Sequence, residues 1–350
     1  MTPETFTEAR MQVARYYSNR DVRLERVNRP SIDDGEVLVR VIACGICGSD
    51  VMEWFRLPKS PRILGHEIAG IVEESRSPHY SVGERVVVRN QIPCGVCHAC
   101  ESGHHGVCEN SEEIEPGGMA EFIRLPGRVV ERGVSRLPPT LPFRAGALAE
   151  PVACVLHSQA LARIEPRHCV VVIGCGVFGL LHIQVAKHAG VSRVVAADKI
   201  AYRTKAATKL GASAVVCGNE DLAAGVRKIN DGRLADVAIV ATGSPGGLQA
   251  ACKAVGRCGT ILLFGAPPPT VPFDMSLNEL FWRKELTLVS SYGPGNVPFS
   301  EPLRLMEIGA IDVDALITDC VPFAAVQRGF DTVARAGESL KVVLEFDRVP

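Results

Sequence analysis

The chain has 350 residues, of which 47% are apolar and 22% are charged, and its formal net charge is −1. A near-neutral chain has no global field that would recruit nucleic acid or an anionic membrane surface. It also lacks a run of about 18 apolar residues, so we expect no membrane span. Its length favours two domains over one.

The N-terminal third of the chain is a series of short apolar runs separated by Gly and Pro. These runs predict strands at 37–42, 68–72, 85–88 and 120–123. Long helical periodicity is scarce here, which is typical of a β-rich, barrel-like domain.

Cysteine usage points to a reducing compartment. The chain has thirteen cysteines, and its N-terminus is acidic and lacks the apolar segment of a secretory signal. In such a chain, cysteines serve as metal ligands and buried thiols rather than as disulfides. We therefore expect a cytoplasmic protein.

Four cysteines lie close together in the sequence, at Cys94, Cys97, Cys100 and Cys108. Four thiolates in so short a segment can close a tetrahedral shell around Zn²⁺. The comparable ferredoxin run has a shorter final gap followed by Pro, so zinc is favoured over an iron–sulfur cluster. A closed shell leaves no open position, and this zinc would therefore be structural.

The same loop carries His98, His104 and His105. Each is an alternative ligand, because imidazole nitrogen also binds zinc. Surface histidines on a metal-pinned loop are the simpler interpretation.

A second set of metal-binding side chains is spread along the chain. It comprises a thiol at Cys44 or Cys47, the imidazole of His66 and the carboxylate of Glu150. A thiolate, an imidazole and a carboxylate make three ligands with one position left open, which is the pattern of catalytic zinc. Spacing alone does not choose between Cys44 and Cys47.

The second half of the chain opens on a dinucleotide-binding pattern. An apolar run at 170–173 leads into G-x-G-x-x-G, formed by Gly174, Gly176 and Gly179, and then into a helical pattern over 180–189. The first glycine permits the tight turn, the second lets the backbone approach a pyrophosphate, and the third lets helix pack on strand. The helix N-terminus adds free N–H groups for the phosphates.

Regular strand–helix alternation follows this turn. Strands are predicted near 169–174, 193–197, 214–217, 236–241, 259–264 and 286–290. Six strands with five connections make a doubly wound parallel sheet, the Rossmann fold. We therefore predict a two-domain α/β protein, with the Rossmann domain at 156–290 and a β-rich catalytic domain at 1–155 and 291–350. The last strand of the sheet, at 286–289, would be an open edge, so we expect a homodimer or homotetramer.

Several motifs together resemble the zinc-dependent medium-chain dehydrogenase/reductase superfamily. They follow the family order through nearly the whole chain: G-I-C-G-S-D at 45–50, G-H-E-x-x-G at 65–70, S-V-G-E-R-V-V-V at 81–88, the four-cysteine segment, Glu150-Pro151, and G-C-G-V-F-G at 174–179. The resemblance implies a GroES-like catalytic domain, one catalytic and one structural zinc per chain, and hydride transfer between a nicotinamide cofactor and an alcohol. Glu150-Pro151 resembles the polyol branch, which includes sorbitol, butanediol and threonine dehydrogenases.

The resemblance also implies which thiol is the ligand of the catalytic zinc. Cys47 takes the place of the family's thiolate ligand, and His66 takes that of its imidazole ligand. Cys44 falls where the family varies, so it is expected to be a packing thiol.

Two carboxylates are implied at the same metal. Glu67 matches a carboxylate that either coordinates zinc or sits just behind it, and Glu150 would coordinate directly or through water. In the simpler alcohol dehydrogenases the third ligand is a cysteine, and Cys154 lies one residue from that position. Cys154 is therefore a lesser alternative to Glu150.

This chain departs from the family pattern at the residues expected to carry the proton away. Ser49 matches the hydroxyl that receives the substrate proton, but the relay histidine that often follows the ligand cysteine by five residues is replaced by Met52. A thioether carries no proton. The proton would then leave from Ser49 through the cofactor ribose, through Glu67, or straight to water.

Asp198, about 20 residues past the glycines, resembles the acidic residue that holds the adenosine ribose hydroxyls. A carboxylate there repels a 2′-phosphate and favours NAD over NADP. Val177 and Phe178 complete the glycine turn as expected cofactor contacts. Arg203 either flanks the adenine, which would leave NADP open, or is a solvated helix charge. The loop at 290–293 matches the region whose backbone faces the nicotinamide.

The expected function is zinc- and NAD-dependent oxidation of a secondary alcohol, with a polyol, a cyclitol, a sugar-derived alcohol or an amino alcohol as substrate. One alternative is a simple dehydrogenase of small aliphatic alcohols. The other is a non-catalytic NAD- and zinc-binding sensor or structural protein, against which the intact Cys47, His66, Ser49 and Glu150 argue.

Overall fold

The computed structural model describes residues 10–218, 220–272 and 276–347. The chain divides into two compact units. The first comprises Met1–Glu150, Pro298–Glu307 and Val313–Pro350, and the second comprises Pro151–Val297 and Ile308–Asp312. The first division falls inside a continuous helix, Ala149–Leu161. Because the helix is continuous, the sequence shows no break at Glu150. The boundary that we predicted at 155 lies a few residues further along the same helix.

The described residues form strands β1–β18, which are in chain order Arg10–Ser18, Asp21–Asn28, Val37–Ile46, Arg62–Ile63, Glu67–Ser75, Arg85–Arg89, Gln91–Ile92, Glu112–Glu113, Phe122–Leu125, Val134–Arg136, Cys169–Ile173, Arg193–Asp198, Ala214–Cys217, Ala235–Val240, Val255–Leu263, Thr287–Ser290, Ile317–Pro322 and Lys341–Glu345. They also form helices α1–α12, which are Glu53–Arg56, His98–Glu101, Gly127–Arg132, Phe143–Ala147, Ala149–Leu161, Val177–His188, Ala201–Lys209, Leu222–Ile229, Pro245–Ala254, Leu277–Phe281, Ser300–Glu307 and Val326–Arg335. Short 3-10 helices cover Gly48–Val51, Leu57–Lys59, His105–Val107 and Phe323–Ala325. None of the described helices has the length and apolarity needed to cross a bilayer.

The first unit is built on a seven-stranded sheet in the order β10-β6-β5-β3-β18-β17, with β9 also paired to β3. β3 is its centre: β5 lies along one edge, and β9 and β18 share the other. Most of the side chains of β3 are buried. A smaller sheet, β2-β1-β4, adds Tyr16 to the apolar core that contains Ile68 and Phe330. This is the β-rich domain that the sequence predicted.

The second unit is a six-stranded parallel sheet in the order β13-β12-β11-β14-β15-β16. Counted from β11, this is the order 3-2-1-4-5-6 of the Rossmann fold. All six strands predicted from the sequence are present. Val171, Val195 and Ala238 on the central strands form the middle of its core.

β15 is longer than its sequence pattern predicts. It begins at Val255 rather than near 259, and its pairing with β14 is irregular between Ala235 and Val237. Cys258 has a positive φ of 59° in this stretch. The irregular backbone interrupts the two-residue alternation on which strand prediction depends, so the start of β15 left no signal.

Candidate catalytic metal centre and dinucleotide site

Strand pairing brings the predicted metal ligands together. Gly45 on β3 pairs with Glu67 on β5, so the residues that follow β3 lie beside those that precede β5. Cys47 follows the last residue of β3, and His66 precedes the first residue of β5. The ligand atoms of Cys47, His66 and Glu67 consequently lie within 4.8 Å of one another.

The donor atoms of this cluster suit zinc. Thiolate sulfur, imidazole nitrogen and carboxylate oxygen are the ligands of catalytic zinc sites. Cys47 and Glu67 are buried, whereas the His66 side chain is 15% exposed. The imidazole is therefore the part of the cluster that solvent reaches.

The charge balance of the cluster also suits a cation. Burial disfavours protonation of His66, but the neighbouring Asp50 carboxylate, the Cys47 sulfur and the Glu150 carboxylate outweigh burial and raise the pKa of His66 well above its usual value. A raised imidazole pKa reports an excess of negative potential. A divalent cation held by these residues would neutralise that excess.

Asp50 contacts both Cys47 and His66, an arrangement that we did not predict from the sequence. Its carboxylate is completely buried. One oxygen accepts the backbone N–H of Cys47 at 3.0 Å, and the other lies 3.6 Å from His66 Nδ1. A carboxylate behind a ligating histidine orients the ring and strengthens it as a donor. The only sequence signal was its place at the end of the G-I-C-G-S-D motif.

Lys341 is a second residue that the sequence analysis missed. It lies on β18, beside the end of β3, and is only 3% exposed. Its Nζ donates to Glu67 Oε1 at 2.5 Å and to the Ile46 carbonyl at 3.1 Å. The signal was a lysine directly before the apolar run Val342–Leu344, since a lysine buried beside such a run needs a partner of opposite charge.

Glu150 opens α5 and is buried. It is near enough to His66 to contribute to the raised pKa of that ring, but it is outside the group whose ligand atoms lie within 4.8 Å of one another. Cys154 follows it by one helical turn and belongs to the second unit.

Cys44 is placed differently from Cys47. Its Sγ lies 3.7 Å from the Gly45 carbonyl oxygen, and it is outside the cluster of Cys47, His66 and Glu67. Burial, reinforced by the nearby carboxylates of Asp50 and Glu67, raises the pKa of Cys44 well above its usual value. A thiol that stays protonated packs well and ligates metal poorly.

Ser49 is half-buried in the 3-10 helix that begins after Cys47. It therefore lies one short turn from the cluster of Cys47, His66 and Glu67. Met52 follows the same turn and places a thioether at the relay position.

The four neighbouring cysteines also converge. The sulfur atoms of Cys94, Cys97, Cys100 and Cys108 lie within 4.8 Å of one another. Cys97 Sγ and Cys108 Sγ are 3.8 Å apart, and the Cys94 N–H donates to Cys108 Sγ at 3.2 Å. Backbone N–H groups, first that of Glu109, lower the pKa of Cys97 to about 6. A thiolate is therefore accessible at neutral pH, as zinc binding requires.

The histidines of this loop lie outside the four-sulfur group. His98 and His104 are exposed, and His105 is half-buried. Four sulfur atoms already provide a full tetrahedral shell. The group thus fits a closed metal site without an imidazole.

The glycine turn between β11 and α6 has the geometry of a dinucleotide seat. Gly174 has a φ of +93°, and a Cβ there would lie 2.9 Å from Thr242 Cβ. A Cβ on Gly179 would overlap the Gly174 carbonyl oxygen. Gly176 precedes the first residue of α6, and a Cβ there would meet no atom closer than Arg203 Nη1 at 4.0 Å. Two glycines are required by the fold, and the third leaves room for a ligand at the helix N-terminus.

Asp198 ends β12 next to this turn. Its two carboxylate oxygens accept the backbone N–H groups of Cys175 at 2.7 Å and Ile200 at 2.9 Å. Each oxygen retains a second lone pair for a further donor. Arg203 lies at the same turn, because its Nη1 is 4.0 Å from the position of a Cβ on Gly176.

Val177 and Phe178 open α6 and are half-buried. The Phe178 ring packs against Phe264, with ring centroids 4.9 Å apart, and this contact holds the start of α6 in place. The segment 290–293 begins at the last residue of β16, and its Tyr292 side chain is exposed.

The comparisons with known proteins identify the family. The alcohol dehydrogenase GroES-like domain matches residues 33–136, and the zinc-binding dehydrogenase domain matches residues 177–307. L-threonine 3-dehydrogenase of Pyrococcus abyssi is 33% identical over 337 residues, which cover 91% of this chain and 94% of that protein. The chain belongs to the zinc-binding alcohol dehydrogenase family.

Other relatives agree with this assignment. Sorbitol dehydrogenase of Bacillus subtilis is 28% identical over 95% of this chain and 97% of its own length. A zinc-binding dehydrogenase of Sinorhizobium meliloti, solved bound to NADP, has a TM-score of 0.85 at 27% identity over 96% of this chain and 99% of its own. An alcohol dehydrogenase of Escherichia coli, complexed with NADH, has a TM-score of 0.86 at 25% identity, and the match covers 97% of this chain and 100% of that chain.

The family membership confirms the predicted class and fold. The protein is an oxidoreductase of the zinc-type alcohol dehydrogenases. Its two units are a GroES-like domain and a Rossmann domain, as the sequence predicted. The family acts on alcohols with nicotinamide dinucleotides, and both NADP and NADH occur in the solved relatives.

Proposed function

We propose that this protein is a zinc- and NAD-dependent dehydrogenase of secondary alcohols, acting on a polyol, a cyclitol, a sugar-derived alcohol or an amino alcohol. The observation that carries the proposal is the cluster of Cys47, His66 and Glu67, with the Ser49 hydroxyl one short turn away. The relatives named for sorbitol and threonine support a polar substrate that carries a secondary hydroxyl.

Cys47, His66 and one of two carboxylates would hold the catalytic zinc. Lys341 already neutralises Glu67, which favours Glu150 as the third ligand. Zinc bound there would act as a Lewis acid toward the substrate oxygen. The four clustered cysteines would hold a second, structural zinc, which makes two per chain.

NAD is proposed as the cofactor because of Asp198. Two backbone N–H groups fix its carboxylate at the end of β12, where it would accept the ribose hydroxyls and repel a 2′-phosphate. Arg203 lies at the glycine turn, where its charge suits the pyrophosphate shared by both cofactors. The nicotinamide ring supplies the hydride chemistry.

The remaining residues would bind and orient the substrate, the metal-site residues and the cofactor. Ser49 would hydrogen-bond the reacting oxygen of the substrate, and Asp50 holds His66 and the Cys47 backbone in place. Gly176 and the N-terminus of α6 would bind the pyrophosphate.

The proposal is tested with purified protein, NAD or NADP, and a panel of acyclic polyols, cyclitols, amino alcohols and simple aliphatic alcohols. Formation of reduced cofactor is followed by absorbance, and zinc per chain is counted. We expect turnover of a polar secondary alcohol with NAD, and two zinc ions. Faster turnover of small aliphatic alcohols, or no turnover of any alcohol, would contradict the proposal.

Two thiol variants provide a matched comparison. Cys47→Ala should lose about one zinc per chain and all measurable turnover, yet still bind NADH, because the dinucleotide turn is unchanged. Cys44→Ala removes a packing thiol three residues away and should keep both zinc and turnover. The reverse outcome would assign the metal to Cys44.

We also propose that two copies associate through β16. This strand ends the described sheet, and Leu288 on it and Trp282 before it are 50% and 68% exposed. Edge strands and exposed apolar patches favour association. Leu288→Lys should therefore halve the mass measured by light scattering. Val215→Lys, on the opposite edge strand β13, should leave the mass unchanged, and a dimer or tetramer that survives Leu288→Lys would argue against this interface.

A further inference from the structure

Arg56, at the end of α1, is hydrogen-bonded to the residue proposed to meet the substrate. Its Nη2 donates to Ser49 Oγ at 3.2 Å, and its Nε donates to the Ser49 carbonyl at 3.0 Å. The guanidinium also lies over the Phe55 ring, 4.8 Å from the centroid. Its side chain is only 14% exposed. Arg56 is therefore a fixed cation at Ser49 rather than a mobile surface charge.

Asp50 lies between the Arg56 guanidinium and the cluster of Cys47, His66 and Glu67. Arg56 Nη2 also donates to Asp50 Oδ1 at 3.0 Å, and the same carboxylate binds the Cys47 N–H and lies beside His66. Asp50 is completely buried. One buried carboxylate thus contacts the guanidinium, the Cys47 backbone and the imidazole together.

The direction of the hydrogen bond to Ser49 follows from chemistry. A guanidinium has five N–H donors and no acceptor, so Ser49 Oγ must accept. A serine hydroxyl has one hydrogen, and this hydrogen cannot point at Arg56. It remains available for another acceptor. Met52, on the same turn, offers only a thioether, which is a weak acceptor.

The geometry points to Arg56 as a positioning residue for Ser49, an inference that rests on the proposed dehydrogenase function. Arg56 turns the Ser49 O–H toward the substrate oxygen, and its charge stabilises the negative charge that develops on that oxygen. In ketone reduction, a bound reduced nicotinamide would supply the hydride for the new C–H bond, and the C=O electron pair would move onto oxygen. A proton from solvent completes the alcohol, so Arg56 and Ser49 are unchanged by the turnover.

A double-mutant cycle tests the inference with the best substrate from the alcohol panel. Arg56→Gln should lower kcat about 10- to 100-fold when Ser49 is present, with a smaller change in KM, because a charge-assisted hydrogen bond is lost. In the Ser49→Ala background the same substitution should change kcat by less than about threefold, since the residue through which Arg56 acts is absent. Arg56→Lys should recover part of the loss.

Binding gives a readout that does not depend on turnover. A carboxamide that mimics the ketone can be titrated into the protein–NADH complex, with NADH fluorescence as the signal. Arg56→Gln should weaken carboxamide binding only when Ser49 is present. Lys59→Met is the matched control, because Lys59 also lies over the Phe55 ring but makes no described bond to Ser49.

The outcomes separate three cases. Equal losses from Arg56→Gln in both backgrounds, accompanied by loss of zinc or a lower unfolding midpoint, would mean that Arg56 only supports Asp50, and would overturn the inference. Undiminished kcat and carboxamide binding in Arg56→Gln would also overturn it. Absence of turnover in the unmodified protein would instead refute the proposed function.

Discussion

Gly45 lacks a side chain at the point where Glu67 and Lys341 meet. A Cβ there would overlap Glu67 Oε2 and would lie 3.0 Å from Lys341 Cε. Both charged groups are buried and neutralise each other. Separating such a pair leaves an uncompensated charge in the interior. The ion pair between Glu67 and Lys341 therefore requires glycine at this position.

Gly45→Ala should lower the free energy of unfolding by about 3–5 kcal/mol, because the new methyl group forces Glu67 away from Lys341. Urea denaturation measures the change. Gly48→Ala is the matched control in the same motif, since a Cβ there has no atom within 4 Å, and it should change stability by less than about 0.5 kcal/mol. Similar midpoints for the two variants would refute the argument.

At the scale of elements, the segment from Cys94 to Cys108 depends on its sulfur cluster. It contains only the short helix α2 and one 3-10 turn, and its two valines, Val96 and Val107, are 76% and 58% exposed. A segment that buries so little apolar surface gains little from the hydrophobic effect. Metal binding would provide the missing free energy of folding.

Cys100→Ala should reduce the zinc content by about one ion per chain and lower the melting temperature, because three thiolates leave the shell incomplete. Zinc analysis and thermal denaturation measure the two effects. Cys258→Ala removes an exposed thiol outside both clusters and should leave zinc and melting temperature unchanged. Two zinc ions per chain in Cys100→Ala would show that this segment does not bind metal through Cys100.

At the scale of the whole molecule, one buried histidine links folding to pH. His182 on α6 is completely buried. Its Nδ1 lies 3.2 Å from Gln159 Nε2, and its ring meets Phe264 edge-on at 4.7 Å. Burial lowers the pKa of His182 to about 3. The native protein therefore keeps this ring neutral under conditions in which an exposed histidine is charged.

Stability should fall as the pH decreases from about 6.5 toward 3. In this window the unfolded chain binds a proton at His182 and the native state does not, so the free energy of unfolding decreases by about 1.4 kcal/mol per pH unit from this residue. The measurement is the urea midpoint against pH. In His182→Gln the slope should be smaller by about one proton, and an unchanged slope would contradict the linkage.

Much of the fold was predictable because its signals are local. The glycine turn, the six strands of the Rossmann domain and the four-cysteine segment each lie within a short stretch, where side-chain periodicity and spacing express backbone geometry directly. One exception was the start of β15, where a positive φ at Cys258 breaks the alternation.

The sequence by itself therefore determined the two folds, the dinucleotide turn and the residue types suited to zinc. The family resemblance implied that Cys47, His66 and Glu67 meet, and the tertiary structure shows the contacts that bring them together. Pairing of β3 with β5 places Cys47 rather than Cys44 beside His66, and pairing of β3 with β18 brings Lys341 to Glu67 from far along the chain. The physical reason is that these contacts depend on strand register and on burial. Neither leaves a periodic mark on the residues that make the contact.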